Sequence, residues 1–282
     1  MSPIGEPLEA VRSVSELLVV LHDAMRCHKA INDDCNVLHR DVSDNNILVV
    51  RKGKDGNDVH GLLIDFDCAI KRSALRRFGR PERTGTLPFM SIGNLSNSSV
   101  PRTMLDDWES LLYLVCWYGT FGINNNCTDL ECSHNINKWC AGNDNDIADQ
   151  KQSDLTNIVN FGNRIVNGFG KHDSNPGDSV ILKKLAIHLH KFLFFNPKLG
   201  TPLDRPHHGT RTHLKNDDDD DIFLWNKKGR TSHKGRSAAR AIKDVEPPSE
   251  PVDPFEMRVE KEEDIAEDLL SILEYYADLV RK

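Results

Sequence analysis

Leu38-His39-Arg40-Asp41-Val42-Ser43-Asp44-Asn45-Asn46-Ile47-Leu48, followed farther along by Leu63-Ile64-Asp65-Phe66-Asp67, is the most informative part of this chain. It sets one carboxylate, an amide five residues beyond it, and a second carboxylate after a hydrophobic run. Phosphoryl transfer asks for such a set. One carboxylate must orient an acceptor hydroxyl and take its proton, while a second carboxylate and an amide oxygen hold a divalent cation on the phosphates. Asp41 suits the first role, and Asn46 and Asp65 the second. Hard oxygen donors of this kind suit Mg²⁺, which keeps several waters and takes further ligands from phosphate. Between Asn46 and Asp65, the apolar runs Ile47–Val50 and Leu62–Ile64 flank Lys54-Asp55-Gly56-Asn57. The Asp-Gly pair favours a tight turn with positive φ, so the sequence predicts a β-hairpin that brings Asn46 beside Asp65.

Outward from this centre the periodicity becomes helical. Leu8, Val11, Val14, Leu18, Leu21 and Met25 recur at steps of three and four, which predicts one helix from Leu8 to an end near Cys27, with Asn32-Asp33-Asp34 as punctuation after it. Residues Asp106 to Tyr118 are apolar nearly all round and predict a buried helix capped by Asp106 or Asp107. Between these, residues 71–83 carry Lys71, Arg72, Arg76, Arg77, Arg80 and Arg83 against Glu82 alone. That segment reads as a loop, either solvated or able to attract an acidic group. Residues 124–146 read as a polar surface insertion. Helical periodicity returns over Ile147–Val166 and Val180–Phe195, where Pro197 closes the second.

Past Pro206 the composition shifts. An acidic run, Asp217–Asp221, precedes a stretch from Asn226 to Lys243 with seven basic residues and no acid, and then Pro247, Pro248, Pro251 and Pro254. Residues 207–254 are expected to be a disordered linker, with the basic run a solvated tail in preference to an import signal or nucleic-acid patch. Within Glu256–Lys282, Ile265, Leu269, Ile272, Tyr276 and Leu279 form an amphipathic helical face. It is short for a coiled coil, so this helix either packs on the domain or pairs with a second copy. The division is therefore residues 1–206, 207–254 and 255–282.

Composition sets the broad class. Over 282 residues the formal net charge is −7, which argues against a whole-protein nucleic-acid footprint. No stretch reaches the roughly 18 apolar residues of a membrane span, and acidic residues precede any signal-like run, so no membrane partner is expected. Seven Cys at scattered spacing fit a reducing compartment, which gives an intracellular chain, cytoplasmic or nuclear. Cys127, Cys132, His134 and Cys140 do not have a clean zinc-site spacing and are read as ordinary residues.

The quoted stretches match the protein-kinase catalytic loop H-R-D-x-x-x-x-N followed by a strand and D-F-x. Thr84-Gly85-Thr86-Leu87-Pro88-Phe89-Met90 resembles the end of an activation segment, and Asp107-Trp108-Glu109-Ser110-Leu111 resembles the helix start whose Asp supports the catalytic-loop backbone. Together LHRDVSDNNIL, LLIDFDCAI, RTGTLPFMS and DWESLLYLV resemble the fungal-type protein kinase family over about residues 8–205. The resemblance implies an α+β fold, mainly α, of the kinase C-terminal lobe with a small catalytic-loop hairpin. It implies ATP and Mg²⁺ as cofactors and transfer of the γ-phosphate to a protein Ser or Thr hydroxyl. By it Asp41 is the catalytic base, and Asn46 and Asp65 hold the metal. Ser43, Asn46 and Asp65 face the nucleotide, and Thr84, Gly85 and Thr86 belong to the substrate-facing segment, with Thr86 on Asp41. His39, Arg40 and Asp107 give structural support. Asp67 either adds a carboxylate to the metal site or only restricts the backbone.

Departures from the family pattern qualify this. No G-x-G-x-x-G occurs, and no V-A-I-K-like strand precedes Asp41, so the N-terminal lobe is expected to be missing and catalysis by the chain alone weak or absent. A partner bearing a small lobe, or self-association through the C-terminal helix, would then be needed. Ser43 stands where a phosphate-facing Lys is usual. Ser91-Ile92-Gly93 replaces A-P-E, so Gly93 cannot pair with Arg205, and removing one member of such a buried pair costs roughly 3–5 kcal/mol. Two other functions compete: a non-catalytic scaffold, and a small-molecule hydroxyl kinase of the aminoglycoside or choline type. Arg40, the T-G-T-x-x-F-M segment and Asp107-x-Glu109-Ser110 favour a protein substrate over a small molecule.

Overall fold

The computed structural model describes residues 5–53, 56, 58–72, 74, 84–96, 102–123, 134–170, 176–195 and 254–281. Expectations for most of the basic segment, the hairpin residues Lys54, Asp55 and Asn57, Cys127, Cys132, the His134 side chain, Pro197, Arg205 and residues 207–253 lie outside these. Two small antiparallel ladders bracket residues 39–46. In the first, β1 (Glu6–Pro7), β3 (Ile47–Lys52) and β4 (Asp58–Leu63) lie in the order β1-β3-β4, with Ile47 opposite Leu63 and Lys52 opposite Asp58. In the second, β2 (Val37–Leu38) pairs with β5 (Ile70–Lys71). Residues 39–46 and 64–69 are thus held between two pinned ends. The expected hairpin is present and longer than its apolar runs, since the ladder extends through Arg51 and Lys52 on one strand and Asp58 and Val59 on the other. Lys71, expected in a loop, ends β5.

Helix α1 (Val14–Cys35) begins later and ends later than its apolar periodicity suggests. Ser13 is the reason for the start, because its side chain accepts the Glu16 N–H at 3.1 Å, leaving Leu8–Ala10 as a separate 3₁₀ turn. The Asn-Asp-Asp group does not stop the helix. Lys29 reaches Asp33 one turn on, at 2.7 Å, and Asn36 terminates the helix in the left-handed region at φ 54°. Val14, Leu17, Leu18, Leu21 and Met25 are buried. The helix lies so close to β4 that a Cβ on Gly61 would fall 2.0 Å from the Val20 carbonyl oxygen.

After the short helix α2 (Ile92–Leu95) comes α3 (Met104–Phe121), buried almost throughout, as its continuous apolar sequence requires. Neither Asp106 nor Asp107 is its N-cap. Thr103 holds that position, and Asp106 accepts the Thr103 N–H at 2.7 Å from inside the first turn, which leaves Asp107 free for another role. Against α3 pack α4 (His134–Asn137) and α7 (Pro176–Phe195), α5 (Asp144–Leu155) reaches it through Lys151 on the Tyr113 ring, and α6 (Ile158–Arg164) lies on α5 and α7. The stretch expected to be one helix over 147–166 is broken because Asn157 caps α6, accepting the Val159 N–H at 2.7 Å. Helix α5 likewise starts inside the supposed insertion, where Asn143 accepts the Asp146 N–H.

The last helix, α8 (Pro254–Arg281), belongs to the same unit as residues 1–205. Ile265, Leu269, Leu273 and Tyr276 are buried, Glu267 pairs with Lys29 of α1 at 3.3 Å, and the Tyr276 hydroxyl meets His188 of α7 at 3.1 Å. Of its two expected roles, packing on the domain is the one observed. The described residues are mainly helical, with two small sheets. Among them no helix is long and apolar enough to cross a membrane.

Candidate active site

The loop from His39 to Asn46 is held from below by Asp107. Its carboxylate accepts the Arg40 N–H at 3.2 Å to each oxygen and meets His28 Nε2 of α1 at 2.8 Å. Burial opposes ionisation of Asp107. The His28 bond and the charges of His28 and Arg102 outweigh it and hold the carboxyl below its usual range. Arg40 takes φ 74°, a conformation side chains rarely adopt, and both carboxylate bonds act on its amide. His39 then ties the two loops together. Its Nε2 lies 3.0 Å from the Ile64 carbonyl and its Nδ1 3.3 Å from the Asp41 amide, which sets the tautomer with the proton on Nε2.

Asp41 faces the other way. Its Oδ1 accepts both the Thr86 N–H and the Thr86 hydroxyl at 2.8 Å, and its Oδ2 accepts the Asn46 side-chain N–H at 2.9 Å. The same Asn46 nitrogen donates to the Asp41 carbonyl at 2.8 Å. With its nitrogen occupied, Asn46 has its amide oxygen left for another ligand. The Ile64 N–H donates to the Asn46 carbonyl at 2.9 Å, which extends the β3–β4 register by one step and places Asp65 immediately past Asn46. Asp65 sits at φ 61° with an exposed carboxylate, one oxygen of which accepts the Asp67 N–H at 3.2 Å. Asp67 is also exposed, while Phe66, 40% exposed, sets its ring edge on His39.

The segment from Thr84 is brought onto this loop. Thr84 offers its carbonyl to Asn94 and Arg102, each at 3.0 Å, and Arg102 also donates to the Arg40 carbonyl at 3.0 Å. Gly85 has φ 127°, and a Cβ there would meet Met90 at 3.1 Å and the Arg40 carbonyl at 3.4 Å. A side chain would disturb the segment and the loop together. Ser43 is placed differently: it is fully buried at the start of the turn Asp44–Asn46, with its hydroxyl unpartnered. Burial, with the charges of Glu9 and Asp41 added, raises the carboxyl of Asp44.

Sequence reasoning missed His28 and Arg102. The expected end of α1 near Cys27 put His28 outside the helix whose buried face carries it, and Arg102 lies in no motif. Among the described residues, no group of three or more His, Cys, Asp or Glu is placed to hold a metal. A cation at this site would therefore rest on the Asn46 amide oxygen with one or two carboxylates. That is a sparse, hard-oxygen donor set, which fits Mg²⁺ sharing its shell with water and phosphate.

Residues 1–118 match the family described as fungal protein kinase. The family resemblance is borne out over that span, which includes the whole arrangement around Asp41 and the first turns of α3. A kinase-like function goes with the fungal protein kinase match. No curated protein matches the chain.

Proposed function

We propose that this chain carries the phosphotransfer centre of a protein kinase, built to pass the γ-phosphate of ATP to a Ser or Thr hydroxyl of a protein, with weak activity by itself. The observation that carries the reading is the Asp41 carboxylate, fixed by Thr86 on one oxygen and Asn46 on the other, with Asp65 one residue beyond the Asn46 pairing partner. Asp41 orients the acceptor hydroxyl and takes its proton as the new bond forms. The Asn46 oxygen and the Asp65 carboxylate would hold Mg²⁺, with Asp67 the candidate for a further ligand. Mg²⁺ and ATP, when bound, supply the phosphoryl group and offset the charge that develops on it. Ser43 is too buried to serve the nucleotide directly. A protein acceptor is favoured over a small molecule because residues Thr84–Met90 lie against the catalytic loop as a continuous segment, suited to present backbone to an incoming chain.

Calorimetric titration of the folded chain with ATP and Mg²⁺, beside an Asp65→Ala variant, tests the site. Micromolar binding that the variant abolishes is expected. Given binding, Asp41→Asn should lower phosphotransfer by roughly 10²–10⁴-fold, the usual worth of a general base. No heat from either protein sinks catalysis by this chain alone and leaves a scaffold.

A further inference from the structure

The segment that brings Thr86 to Asp41 is gripped from the helical core between Pro88 and Ile92, at three backbone groups and one side chain. Ser91 donates its hydroxyl to Asp106 at 2.7 Å, and the Ile92 N–H donates to Glu109 at 2.7 Å. From α5, Lys151 Nζ donates to the carbonyls of Pro88 and Met90, both at 2.7 Å. Gly93 offers no side chain with which the segment could anchor itself, so these helix residues supply the hold.

Lys151 is fully buried, and a lysine so placed loses its hydration and must find acceptors inside the protein. It finds two carbonyls, with the Tyr113 ring 3.9 Å from its ammonium and Glu109 as the nearby acid. Burial pulls the ammonium down to about 7, with Glu109 opposing the fall. Hydrogen bonds relay the hold to the base. Lys151 fixes the Met90 carbonyl, the Met90 N–H donates to the Thr86 carbonyl at 3.1 Å, and Thr86 donates twice to Asp41.

We propose that Lys151 is a positioning residue for this site: from α5 it clamps the carbonyls of Pro88 and Met90 and so holds Thr86 against the Asp41 carboxylate. Its catalytic consequence rests on the phosphotransfer reading above; its structural part does not. Lys151 touches neither substrate nor Asp41, and it acts only through the segment.

Amide hydrogen exchange on the full chain, comparing the parent with Lys151→Met, Glu109→Gln and the double variant, separates an anchor from an ordinary core residue. Glu109→Gln keeps an acceptor for Ile92, and the double variant avoids leaving an uncompensated buried acid. The expected result is faster exchange at Thr86, Phe89, Met90 and Ile92, by about tenfold or more, in both Lys151 variants, with protection elsewhere retained. Glu109→Gln alone should leave those amides protected. Where the parent transfers phosphate, Lys151→Met should also lower kcat by about tenfold and leave the KM for ATP unchanged, a split that general destabilisation does not produce. Parent-like protection of the segment in a folded double variant overturns the proposal. So does a double variant that fails to fold, since the lysine would then serve the whole fold rather than one segment. Local release without phosphotransfer by the parent supports the anchor and overturns the function proposed above.

Discussion

Asp107 serves three parts of the chain with one carboxylate. It lies in the first turn of α3, it fixes the Arg40 amide in the loop from His39 to Asn46, and it receives His28 from α1. Substituting Asp107 by Ala leaves two buried groups without their partner, the Arg40 N–H and the His28 imidazole. A loss of about 3–5 kcal/mol is expected in urea unfolding, the range found when one member of a buried pair is deleted. The sign of its pH dependence follows from the lowered pKa. The contribution is fully present above the unfolded value of 3.8 and disappears as pH falls through the lower folded value, so the parent and Asp107→Ala curves should converge in acid. At this scale the motif residues were legible, because their spacing alone states which carboxylate sits near which amide. His28, Arg102 and Lys151 were not. Each acts on a partner distant in sequence, and a lone His, Arg or Lys gives no local sign of the group it will meet.

Among the elements, α1 and the β3–β4 hairpin fix where the loop can sit, and their contact depends on one missing side chain. Gly61 is pressed on the Val20 carbonyl, and Arg51 of β3 reaches Glu16 of α1 at 2.9 Å through each of two nitrogens. Gly61→Ala must separate strand from helix, because the atom in the way is backbone and cannot rotate aside. A loss of about 3 kcal/mol, the upper end of overpacking costs, is expected in the same unfolding measurement. Because β4 leads directly to Asp65, nucleotide binding should weaken too. Apolar periodicity located these elements, and every residue of the predicted α1 face is buried. It misplaced their ends, since ends are set by Ser13, Asn36, Thr103 and Asn157, whose capping bonds leave no mark on a hydrophobic pattern.

For the molecule as a whole, the C-terminal helix completes a core that the family-matched residues 1–118 do not close by themselves. It buries Ile265, Leu269, Leu273 and Tyr276 along α1 and α7, in the same unit as the loop around Asp41. Four such side chains, at roughly 1.5–3 kcal/mol each, contribute about 6–12 kcal/mol before ordering costs. That is comparable with the total stability of about 5–15 kcal/mol typical of a domain. A chain ending before Pro254 should therefore lose its cooperative thermal transition, or melt far below the parent, and expose apolar surface to a hydrophobic dye. The effect should reach the site through α1, because the helix that α8 covers is also the one whose His28 holds Asp107 and, through it, the Arg40 amide. Unchanged melting of the shortened chain would mean that α8 adds no net stability, and that α1 holds His28 in place unaided.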